Sequence, residues 1–75
     1  MLLENHPYRH YKGGLYIAKY TALDSETLEE KVVYQSCSTG QIWVRPSAIF
    51  FEIVEQDGQL MNRFTPVIFN NKEGS

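Results

Sequence analysis

A chain of 75 residues and 8.7 kDa fits one domain, residues 1–75, and leaves no room for a second. It is too short to enclose a large cofactor, which excludes dinucleotide-binding Rossmann domains, barrel enzymes and haem pockets; no cofactor is expected. Seven Lys/Arg against nine Asp/Glu give a net charge of −2, so there is no basic excess for displacing counterions from duplex DNA, although a local basic patch stays open.

The head, Met1 to Tyr11, carries Pro7 and the rings of His6, Tyr8, His10 and Tyr11, and reads as a segment pinned against the body. Met1-Leu2-Leu3 meets Glu4 and then Pro7 before an apolar stretch can form, so no secretory leader is expected. Gly13-Gly14 supplies a backbone free to take positive φ or to cross another strand closely. Leu15 to Thr21, rich in aromatic and branched residues, is the first predicted strand. Asp24 to Lys31 (DSETLEEK) is predicted as one or two helical turns inside a long loop, with Asp24 or Ser25 as N-cap and Leu28 as its single apolar anchor. Its charge makes it the expected most mobile internal segment. Val32 to Ser36 and Ile42 to Arg45 are further strands, and Pro46 to Ile49 is predicted to form a 3-10 turn. Phe51 to Val54 is the fourth strand; Asp57-Gly58 is a hairpin turn signal, from which Gln59 to Phe64 returns as the fifth. Residues 70–75 are all polar or Gly and are expected to fray.

Five short strands with one long loop predict an all-β fold, a small five-stranded SH3-like barrel over about residues 8–69, closed or half-closed because a flat sheet would leave an apolar face and two edges unprotected. The longest apolar runs, Leu15 to Ala18 and Ala48 to Phe51, fall far short of the roughly 20 residues that cross a bilayer. The lone Cys37 excludes an internal disulfide and suits a reducing cytoplasm, where the chain is expected.

Tyr8-Arg9-His10-Tyr11-Lys12-Gly13-Gly14, Tyr16, Ser25-Glu26-Thr27, Val32-Val33-Tyr34-Gln35, Trp43-Val44-Arg45-Pro46, Phe50, Asp57-Gly58 and Arg63-Phe64 together resemble the small bacterial domain-of-unknown-function family 1653. The two dense blocks, YRHYKGG and WVRP, carry most of the likeness. The resemblance implies an SH3-like barrel and no assigned activity. The turn Ser36 to Gly40 departs from it, lacking an aromatic-Gly run.

Few groupings carry chemistry. His6 and His10 are four apart, but Pro7 between them argues against the helix that would aim both at a metal, so no metal site is expected. Cys37 sits among Ser and Thr in a turn without the base and positive field that make a thiolate, and reads as incidental. The acids fall in the loop or along one strand and turn, where solvent keeps them ordinary. Catalysis is not expected.

The candidate ligand-binding set is Tyr8, Arg9, His10, Tyr11, Lys12, Tyr34, Trp43 and Arg45, a mixture of rings and cations of the kind that grips peptides or single strands. The competing reading makes the same rings a core and its lid, with the guanidinium groups covering ring faces. If the β-hairpin loop is Cys37 to Gly40, then Gln35 pairs with Ile42, Tyr34 with Trp43, Val33 with Val44 and Val32 with Arg45. Alternation then predicts an aliphatic Val33–Val44 face as core and a half-exposed face of Tyr34, Trp43 and Arg45. The expected function is a non-catalytic binding module for an extended or anionic partner, a peptide or a single-stranded nucleic acid, with no membrane role. The alternative is an oligomerisation domain whose aromatic face joins copies of the chain.

Overall fold

The computed structural model describes residues 2–69, so the expectation for the 70–75 tail lies outside the described residues. Among the described residues, seven strands and a single helical turn follow one another: β1 (His6–His10), β2 (Leu15–Leu23), β3 (Glu30–Ser36), β4 (Ile42–Pro46), α1 (Ser47–Phe50), β5 (Ile53–Gln56), β6 (Gln59–Asn62) and β7 (Phe64–Pro66). Five of them form one antiparallel sheet in the order β4-β3-β2-β1-β7, and β5 pairs only with β6 in a separate ribbon. The fold is all-β, as expected.

The sheet is not closed into the five-stranded barrel, closed or half-closed, that the strand count led us to expect. The sheet ends on β4 and β7 instead of joining them, and the predicted last strand is two, broken at Arg63. What would have been barrel closure is replaced by packing: Phe50 of α1 stacks on Phe64 of β7, with centroids 4.2 Å apart and planes 3° from parallel, and the pair fills the concave side. Tyr8 and Tyr34 meet Phe50 edge-on at 5.4 and 5.6 Å. With Ala18 and Val32 these rings are the buried core.

Within the head, His6–His10 is a strand in the body of the sheet, between β2 and β7. Pro7 does not interrupt it. The Val67 carbonyl, whose partner N–H Pro7 lacks, accepts a hydrogen bond from His6 Nε2 at 2.9 Å, while Val67 N–H donates to the Pro7 carbonyl at 3.0 Å. The following turn uses both glycines: Gly13 has φ +108°, and a Cβ on Gly14 would sit 3.0 Å from the Tyr16 ring.

The β3–β4 pairing is the one the loop length predicts, Gln35 with Ile42 through Val32 with Arg45. Its faces are reversed from expectation. Val32 and Tyr34 are buried, whereas Val44 is 59% exposed and Val33 half-buried. Alternation separates the two faces but does not choose between them; Phe50 and Phe64 choose, because rings offer more apolar area to bury than two valines. A bulge between Ala18 and Tyr20 then shifts the phase of β2, so that Tyr20 pairs with Val33 on the outer face.

Three smaller expectations change. Asp24 to Lys31 forms no helix: Asp24 Oδ1 accepts from Glu26 and Thr27 N–H, and Leu28, far from anchoring the loop, has φ +63° and is exposed. The turn after β4 is α-helical, with Phe51 N–H bonded to the Ser47 carbonyl, and it starts at Ser47, because Pro46 at φ −55° and ψ 139° still completes the strand. The fourth predicted strand starts at Ile53, since Phe51 caps that turn. Asp57 and Gly58 do turn the β5–β6 hairpin, both with positive φ.

Candidate functional site

The inner face of the sheet does not fill completely. Beside the Phe50–Phe64 stack lies an open concavity of about 180 Å³ lined by Tyr16, Tyr34, Trp43 and Arg45. Period two on paired strands builds it. Tyr34 and Trp43 are direct neighbours across β3 and β4, Arg45 follows Trp43 on the same face, and Tyr16 arrives from β2 opposite Ser36.

Depth grades the four side chains. Tyr34 is buried, and its hydroxyl accepts a hydrogen bond from Arg45 Nε at 3.2 Å. Tyr16 meets the Tyr34 ring at 5.5 Å and the Phe64 ring at 5.7 Å, both edge-on. Arg45 stands 5.9 Å above the Phe64 ring, so its guanidinium is held from two sides. Trp43, 51% exposed, forms the outer wall.

Arg45 has no carboxylate partner among the described residues, whose three ion pairs are Lys31–Asp24, Lys31–Glu29 and Arg63–Glu52. Next to Tyr16, the His10 ring lies against Phe64 and Tyr11. Burial, followed by the charges of Arg45, Arg63 and Lys12, holds its pKa below the ordinary 6.5. Its Nδ1 accepts the Lys12 N–H at 3.1 Å, an arrangement open only to the neutral ring.

Of the candidate contact residues, Tyr34, Trp43 and Arg45 line the concavity, and His10 borders it through Tyr16. The others do not join them. Tyr8 is 2% exposed, and its hydroxyl accepts from Leu3 N–H, so it belongs to the core. Arg9 points to the opposite face and donates to the Gly13 carbonyl. Lys12 and Arg63 flank the Tyr11 ring at 5.8 and 6.0 Å, beyond His10. Sequence reasoning missed Tyr16 as a lining residue, although its spacing of two from Ala18 was a usable signal. Cys37 is exposed in the β3–β4 turn, and His6 is engaged with Val67.

An open antiparallel sheet, bent over a stacked aromatic pair and carrying an aromatic concavity with an arginine inside, defines the class: a small all-β domain with a surface recess rather than an enclosed pocket. The chain belongs to the family described as "Protein of unknown function (DUF1653)", whose sequence model matches residues 6–66. It is similar to a protein of that family from Bordetella bronchiseptica, known from a crystal structure, with 31% identity, 95% of each chain covered and a TM-score of 0.80. No curated protein matches the chain.

Proposed function

We propose that the chain is a non-catalytic recognition module, built on a half-open SH3-like plan and working in a reducing cytoplasm. It holds an extended or anionic partner, a peptide or a single-stranded nucleic acid, in the recess of Tyr16, Tyr34, Trp43 and Arg45. One observation carries this reading: a guanidinium with no carboxylate partner among the described residues is positioned by Tyr34 and Phe64 beside a half-exposed indole. Ordering a long cationic side chain has an entropic cost, and a ligand anion recovers it as a charge-assisted hydrogen bond. The indole and the Tyr16 ring supply flat area for a planar or apolar group of the same ligand. The neutral His10 adds a polar border without adding charge.

Titration with short oligonucleotides and with acidic or phosphorylated peptides, followed by amide and indole NMR shifts, tests the reading. Shifts are expected at Trp43, Arg45 and Tyr16, lost in Trp43→Ala and weakened by added salt. No shift with either class at millimolar ligand would end it.

A further inference from the structure

The two outer strands of the sheet are guarded unequally. β7 has three residues and ends in Pro66, a short edge that offers little to another strand. β4 has five residues and carries Ile42, Trp43 and Val44, exposed at 47%, 51% and 59%. The hydrogen bond from Ser36 N–H to the Gln41 carbonyl sets the alternation on the β3 side. Trp43 and Arg45 therefore bond to β3, while the backbone groups of Ile42 and Val44 face the open edge.

This edge is complementary to itself. When two β4 strands run antiparallel about a two-fold axis through Val44, Val44 exchanges both backbone hydrogen bonds with the partner's Val44. Ile42 then lies opposite the partner's Pro46 and donates its N–H to that carbonyl. Pro46 has no N–H to return, and the Ile42 carbonyl does not need one: it already accepts from the side-chain amide of Gln41 at 3.1 Å. The same substitution occurs at β1, where His6 supplies the donor that Pro7 lacks. Between these pairs Trp43 falls opposite the partner's Arg45 on the inner face, an indole facing a guanidinium, twice per dimer. On the outer face the apolar row Tyr20–Val33–Val44, set by the pairing of β2, β3 and β4, continues across the axis into its own copy.

We propose that the occupant of the β4 edge is a second copy of this chain, and that the protein is a two-fold dimer with a continuous ten-stranded sheet centred on Val44. The two recesses then open beside each other along one groove. The dimer does not rest on the ligand reading, since a guanidinium face turned to an indole leaves its N–H edge for an anion.

Sedimentation velocity from micromolar to millimolar concentration, with hydrogen exchange at Val44 N–H, tests the proposal. A species of twice the 8.7 kDa chain mass is expected, with Val44 protection that rises with concentration. Val44→Pro removes the central donor without touching the β3–β4 ladder and should leave a monomer. Val44→Lys, at a position exposed in the monomer, should fold normally and weaken the dimer on the order of tenfold or more by placing two ammonium groups at the axis. A wild-type chain that stays monomeric at millimolar concentration overturns the proposal, and so does a dimer that Val44→Lys leaves unchanged.

Discussion

Val32 and Val44 sit one residue pair apart in the same hairpin, and truncating each to alanine isolates the face on which the core lies. Val32 is 0% exposed. Removing its two methyl groups forfeits about 1.6 kcal/mol of transfer free energy, at about 0.8 per carbon. A residual cavity of roughly 40 Å³ adds about 1 kcal/mol at about 24 cal/mol/Å³. The expected loss for Val32→Ala is therefore about 2.5 kcal/mol, against about 4–11 kcal/mol for a whole domain of this length. Val44 is 59% exposed, and the same two carbons lose only the buried part, about 0.6 kcal/mol, with no cavity. Urea unfolding monitored by Trp43 fluorescence, at a concentration where the wild-type chain is monomeric, reads both. Equal losses, or a larger loss at Val44, would refute the assignment of the inner face and with it the placement of the recess.

Two further outcomes follow from single positions. Gly58→Ala places a Cβ at φ +79° and should loosen the β5–β6 ribbon by about 1 kcal/mol, seen as faster amide exchange in the ribbon; unchanged exchange would contradict the turn geometry. His10 binds its proton more weakly folded than unfolded, so the neutral ring's stabilising contribution is complete above about pH 6.5 and falls as the pH drops below that value towards the folded one. His10→Asn should flatten that part of the stability profile, and a ring that titrates at or above 6.5 by NMR would contradict burial and neighbouring cations as the forces acting on it.

How much of this was legible in the sequence depended on range. The four residues Cys37 to Gly40 fix the β3–β4 register by themselves, so Tyr34, Trp43 and Arg45 could be placed on one face without a structure. Which face is inner is decided by Phe50 and Phe64, both outside the hairpin, and no local pattern reports that. Pro7 hid β1, because the compensating donor is an imidazole whose acceptor is Val67, at the far side of the chain. The YRHYKG cluster looked like one basic-aromatic surface, but strand alternation divides it. Tyr8 and His10 go inward and Arg9 outward, which only the knowledge that the segment is a strand could show. Tyr16 and His10 reach the recess through the sheet order, a property of the whole chain.

The position of β1 between β2 and β7 bears on the order of folding events. The pairings β1–β2, β2–β3, β3–β4 and β5–β6 are hairpins between neighbours in sequence, each able to form on the microsecond scale of local encounters. The β1–β7 pairing, with Tyr8 beside Pro66, joins segments from nearly opposite ends, and through it Tyr8 reaches the Phe50 ring that Phe64 stacks upon. Such non-local contacts slow the search, while the entropy of closing so long a loop rises only logarithmically with its length. The topology therefore acts on the rate of folding far more than on the equilibrium, and it leaves the concave surface unfinished until β1 and β7 have found each other.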